Sequence, residues 1–232
     1  MSPDEAKQVL DKIVESVFGY KNPLSLDEAR QKFAFDLRLP QQVQDSLTGE
    51  ETWALSVNPT KFITSKNVEA KNQETDWMIP KRELNSIEDV ITAWAETNAT
   101  TTERSIDSAN IGQSDGINAS ENIFRSMDIR DSKNILFSDG GNNLEYVVAS
   151  SRSKTSSFCI RIEDSQLCSN SFNVIWSAKV TNSLFIQDCF DVMDCMFCSH
   201  IAGKRFCIAN MQFSEEEYYK IKDIVVRWTL GS

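Results

Sequence analysis

A mainly β chain built on a parallel β-solenoid with helical additions is the fold class that these 232 residues predict. Three observations carry it. A small residue, serine or cysteine, recurs every sixth position over about a hundred residues. A column of branched aliphatics recurs midway between them. Helix-period patterning stops near residue 105 and returns only past residue 210.

The first 104 residues read as an α-rich region. Ser2 is followed by Pro3 and Glu5, which places a hydroxyl cap, a proline at the first helical position and a carboxylate at the third. Val9, Leu10, Ile13, Val14 and Val17 then form one apolar stripe, and Gly19 ends it. Ser25 with Glu28 repeats the capping box ahead of Leu26, Ala29 and Phe33. Ser86 opens a third helix with Ile87, Val90, Ile91 and Trp94 on one face. The stretch from 41 to 85, with Trp53, Pro59, Trp77 and Pro80, reads as mostly extended and looping, anchored by its aromatics. The run from Thr97 to Glu103 has no apolar period and reads as a boundary.

Residues 105–210 are a repeat array. Every sixth residue from 108 gives Ser108, Ser114, Ser120, Ser126, Ser132, Ser138, Leu144, Ser150 and Ser156. The register then slips by three, to Cys159, Ser165, Ser171, Ser177, Ser183, Cys189, Cys195, Ile201 and Cys207. Midway between lie Ile111, Ile117, Ile123, Ile129, Ile135, Gly141 and Val147, then Ile162, Cys168, Val174, Val180, Ile186, Val192 and Cys198. Asp or Asn stands before many of the small residues, as at Asp107, Asp131, Asp164, Asn170, Asn182, Asp188 and Asp194.

Residues three apart on a straight strand face opposite ways, so both columns turn inward only if the chain bends between them. A solenoid supplies that bend, with Asn and Asp suited to its left-handed corners. Taking each hexad as one wall, three walls give a coil of about 18 residues, about five or six coils, and a rod on the order of 25–30 Å at the strand spacing. The slip between Ser156 and Cys159, and the lapse at Asp139-Gly-Gly-Asn-Asn143, predict a bulge or loop. Over about residues 105–210 the period resembles that of the hexapeptide-repeat and parallel β-helix solenoid proteins. It departs from hexapeptide acyltransferases in setting the small residue three places from the aliphatic, not two. Residues 211–232 complete the chain: Ser214 and Glu217 start a helix carrying Ile221, Ile224, Val225 and Trp228, expected as a lid over the last open strand edge.

Composition narrows the function classes. Lys and Arg number 24 against 34 Asp and Glu, a net charge of −10, which argues against gripping nucleic-acid backbones. No apolar run is long enough for a membrane span. The acidic, helix-forming start shows no secretory signal, so the expected location is the cytoplasm or an intracellularly assembled particle. The sequons at Asn98 and Asn118 therefore carry no weight. No phosphate-binding glycine loop or nucleophile-elbow motif occurs, and no cofactor is expected.

Two constellations remain as candidate sites. Cys195-Met-Phe-Cys198-Ser-His200, followed by Cys207, has the spacing of a zinc cluster. The competing readings are that all six cysteines occupy the inward columns as small buried hydrophobes, or that some pair as disulfides. His200, the single histidine, sits where the repeat usually has Asp or Asn, so a corner is expected; as a general base it would take Asp194, one hexad back, as its orienting carboxylate. The Asp column lacks the glycine-rich nonapeptide of calcium-binding solenoids and reads as solvated corner ladders. Three functional readings follow. The first is a non-enzymatic structural, assembly or interaction protein, such as a component of a viral particle, that binds a protein partner or itself. The second is a solenoid enzyme acting on acyl groups or carbohydrate, and the third a zinc-binding module at Cys195, Cys198, His200 and Cys207.

Overall fold

In the repeat, every third residue from Asp107 to Ala209 has a left-handed backbone, with φ between 43° and 78°. Residues of every kind occupy these corners, Phe137, Tyr146 and Trp176 as well as Asn and Asp. Each triplet therefore points one side chain outward, turns, and points the next inward. The structure, a computed structural model, describes residues 1–57, 61–71 and 77–231.

Four such triplets close one turn. Parallel partners lie twelve apart, as in Lys133 with Glu121, Ile162 with Val174 and Val180 with Val192. The solenoid thus has about nine turns of about 12 residues, not five or six of 18. The hexad is two walls, because a corner falls inside it as well as at its end. Nine turns at the strand spacing make a rod roughly 40 Å long.

Inward side chains form four columns, and the early coils supply two branched and two small ones each, whereas later coils put cysteine at large positions such as Cys168 and Cys198. In the early coils Ile117, Ile123, Ile129 and Ile135 are the large members, with Ser114, Ser120, Ser126 and Ser132 between them. In the later coils the columns exchange roles. The column of Ser126, Ser138 and Ser150 continues as Ile162, Val174 and Ile186, while that of Ile123, Ile135 and Val147 continues as Cys159, Ser171 and Ser183. The three-residue slip is this exchange. No bulge or loop interrupts it: one strand runs from Asp139 to Glu163, and the corner at every third residue continues unbroken. At the changeover Leu144 fills the space beside Gly141, where a Cβ would stand 2.5 Å from Leu144 Cδ1.

The serines work as internal ladders. Ser126 Oγ donates to the Phe124 carbonyl at 3.0 Å and accepts from the Ser138 amide at 3.0 Å. Ser138 repeats the pattern with Leu136 and Ser150. Such bonds satisfy polar groups that the dry interior would otherwise strand.

A second core covers one outer wall. Phe124, Leu136, Val148, Ile160, Phe172, Leu184, Met196 and Ile208, twelve apart, point outward from consecutive coils and are buried. Helix α1 (Pro3–Phe18) lays Ala6, Leu10, Ile13, Val14, Val17 and Phe18 on this column. Helix α2 (Leu26–Phe33) adds Ala29 and Phe33, whose ring meets Phe172 edge-on at 5.7 Å. Both carry the expected capping boxes, at Ser2 with Glu5 and Ser25 with Glu28.

Between these helices and the repeat, residues 41–104 are more regular than the sequence predicts. Strands Gln41–Gln44 and Glu51–Ala54 pair antiparallel, and Lys61–Thr64 pairs in parallel with Ala99–Thr102, inside the run expected as a boundary. Helix α3 (Ser65–Ala70) starts on a Thr64 cap. Pro59 lies outside the described residues. Asp45 ties this region together, accepting from the Leu47 and Thr64 amides and from Asn67. Asp115 ties it to the first coils through Leu55 and Arg104. Helix α4 (Ile87–Thr97) starts at Ser86 as predicted.

The C-terminal helix, α5 (Glu215–Leu230), follows its Ser214 cap. It lies along the same flank rather than across the end. Tyr218 meets Phe206, Lys222 donates to the Asn182 carbonyl, and Trp228 meets Phe185, so the helix runs back along the rod. The last edge is turned by a short antiparallel pair, Cys207–Ile208 with Met211–Gln212. On the wall the helix buries Tyr218, Val226 and Leu230 in the outer apolar cluster.

Candidate functional site

The cysteine spacing does not survive folding as a four-ligand set. Cys195, Cys198 and Cys207 point into the interior at the last coils and are buried. His200 stands at an outer corner with φ 58° and a side chain 76% exposed. The reason is the triplet: positions 195, 198 and 207 are inward, and position 200 is a corner. Cys195 Sγ donates to the Met193 carbonyl and Cys198 Sγ to the Met196 carbonyl, the same two-back bond the serines make. Burial raises the Cys159 and Cys207 thiols and pushes Cys168 up to about 11. The contact with Cys198, and burial after it, raise Cys195 as well. The bond from the Cys195 thiol lowers Cys198 in turn, so these two sulfurs serve each other, while the spacing of all three cysteines follows the inward positions of the repeat. Among the described residues no group of three or more His, Cys, Asp or Glu side chains is placed to hold an ion.

Asp194 is not the partner of His200. It is buried, 3.0 Å from Arg205 Nε and 3.2 Å from the Tyr219 hydroxyl, and so anchors α5. The carboxylate near His200 Nε2 is Asp188, at 3.7 Å. With twelve residues per coil, the neighbour on the same corner is twelve back, not six.

That corner column holds the polar site that sequence reasoning missed. Arg152, Asp164, Trp176, Asp188 and His200 stack along one edge, all with left-handed backbones. Arg152 grips Asp164 with Nη2 to Oδ2 at 2.6 Å and Nε to Oδ1 at 2.9 Å. Trp176 Nε1 donates to Asp164 at 3.3 Å, and its indole is 58% exposed. Beside the column runs an open groove of about 570 Å³, lined by Arg152, Lys154, Gln166, Trp176, Asp188 and Phe190. The Arg152 guanidinium holds the Asp164 carboxyl below its usual range. Asp164 is therefore an acceptor at neutral pH and not the proton donor that carboxylate-pair hydrolysis requires. A step of twelve along the chain from His200 would have found this column.

Helix α4 forms the other notable surface. Its predicted apolar face exists but is uncovered: Ile87, Val90, Ile91 and Trp94 are all exposed, Trp94 by 60%. Trp77, Met78, Ile79 and Leu84 extend the exposed apolar surface nearby in the chain. The charged residues of α4 are Glu88, Asp89 and Glu96, all acidic.

Among the described residues no helix is long and apolar enough to cross a membrane. No protein-family model matches the chain, and no curated protein matches it.

Proposed function

We propose that this protein is a non-enzymatic interaction scaffold: a rigid acidic rod that attaches a protein partner through α4. One observation carries the reading. Helices α1 and α2 bury their apolar stripes on the rod, whereas α4 shows a stripe of equal quality to solvent. Uncovered apolar faces of this kind mark interaction surfaces. Glu88 and Asp89 at the start of α4 and the net charge of −10 favour a basic amphipathic helix as the occupant over a second copy of the chain, Glu96 being already paired with Arg82 at 2.8 Å.

The test titrates an 18-residue helical peptide of leucine and lysine into the full chain, with an acidic counterpart of the same leucine pattern as control. The expected result is saturable binding of the basic peptide with a blue shift of tryptophan emission, lost in Ile91→Asp. Sedimentation run alongside separates the alternatives. A mass that doubles with concentration in the native chain and not in Ile91→Asp would give the face to a second copy. Identical behaviour of native and variant chains in both measurements would overturn the reading.

A further inference from the structure

We propose that the groove beside Trp176 binds a carbohydrate chain, laid along the rod with one sugar ring stacked on the indole. Within the repeat, aromatic corner residues gather on the helix-covered flank. Tyr146 stacks on Phe158 and Phe185 on Phe197 there, while Phe137, Tyr146, Phe185 and Phe206 pack against the outer-wall core. Trp176 stands apart from them on another edge with no apolar cover, exposed beside a groove. A bulky side chain at a left-handed corner and facing water gains nothing for the fold that Asn or Gly would not give more cheaply.

The surroundings select the ligand class. A bound molecule must present a flat apolar face to the ring and hydrogen-bonding groups at its rim. Around the indole stand acceptors, Asp164 and Asp188, and donors, Arg152, Lys154 and Gln166. Hydroxyls serve both kinds, and the C–H face of a pyranose fits the indole. A phosphate-bearing ligand would meet two carboxylates, and a wholly apolar one would strand five polar side chains. The indole is already fixed by its bond to Asp164, itself held by Nε and Nη2 of Arg152, so little ordering is left for binding to cost. Phe190, 52% exposed at the far margin with Lys179 Nζ 5.1 Å from its ring centroid, gives a second apolar spot one coil on. An open groove crossing several coils suits a chain of sugars better than a single one.

Cellohexaose, chitohexaose and laminarihexaose, titrated by calorimetry into the full chain, test the proposal. At least one is expected to bind saturably. Trp176→Ala is expected to weaken that binding by about three- to tenfold, the scale of a lost aromatic contact. Trp176→Phe should keep most of it, and Asp188→Asn should weaken it without unfolding, as checked by circular dichroism. Since Trp176 is exposed, both of its variants are expected to fold. Absence of saturable binding by all three sugars, binding undiminished in Trp176→Ala, or tighter binding of a single-stranded oligonucleotide than of any sugar would each overturn it. None of these outcomes depends on α4.

Discussion

A serine hydroxyl does two jobs inside this rod. It fills a small site and carries a hydrogen bond from one coil to the next. Ser138 donates to the Leu136 carbonyl at 3.1 Å and receives the Ser150 amide at 3.0 Å. Ser138→Ala leaves that buried amide without its partner and should cost about 1–3 kcal/mol. Ser138→Cys should cost less, since Cys159 and Cys189 already make the two-back bond with sulfur, at 3.2 Å each. Denaturant titration of the two variants checks the order, and equal losses would show that volume alone matters. At this scale the sequence was readable where chemistry is local. Asn and Asp before the small residues announced left-handed corners, and Asp131, Asp164 and Asn182 have them. The corners at Phe137 and Trp176 were not readable, because no local preference puts an aromatic there. The closed coil imposes that conformation on whatever residue falls in the third place.

The coil is the next scale, and its size was misread for a simple reason. A period of six divides both twelve and eighteen, so it fixes the repeat but not the number of walls. A twelve-residue signal was present in Phe124, Leu136, Val148, Ile160, Phe172, Leu184, Met196 and Ile208, the column under the helices. The exchange of columns near residue 150 also follows from coil-level packing. The early coils are filled by two large and two small side chains, and which columns are large changes through transitional coils, such as that of Ser153, Ser156, Cys159 and Ile162. Gly141 and Leu144 stand at the changeover. Gly141→Ile alone overpacks the site and should destabilise by about 1–3 kcal/mol. Combined with Leu144→Ser, which restores the pattern of Ile129 and Ser132 one coil earlier, much of that loss should return. A double-mutant cycle measures the recovery, and strictly additive losses would contradict this account. On the outer wall, Phe172 touches Phe18, Phe33 and Phe185 with ring centroids 5.1–5.7 Å apart. Phe172→Ala should therefore cost about 3–5 kcal/mol, read from thermal or denaturant unfolding.

For the molecule as a whole, acid is an informative probe. Burial of Asp45 acts to raise its pKa, but bonds from Thr64, Leu47 and Asn67 outweigh that and hold it at about 2, below the ordinary 3.8. A depressed carboxylate contributes stability above its ordinary pKa and loses it as pH falls through the folded value. The region 41–104 should therefore loosen between about pH 4 and pH 2 while the rod, held by neutral ladders, persists. Hydrogen exchange across that range should show early exposure of 41–104, and Asp45→Asn should flatten the dependence while lowering stability at neutral pH. Uniform loss of protection across both regions would refute it.

The sequence by itself determined that residues 105–210 repeat, that helices begin at Ser2, Ser25, Ser86 and Ser214, and that the cysteines share the inward positions. These are properties of spacing and of capping chemistry, which act between near neighbours. Only the tertiary structure decided that twelve residues close a turn, that α5 lies along a flank, that His200 faces Asp188, and that α4 is left bare. Each of those depends on which surfaces meet across the fold. A periodic pattern specifies what a wall is made of, whereas the number of walls, and what covers them, is set by closure and by the area left to bury.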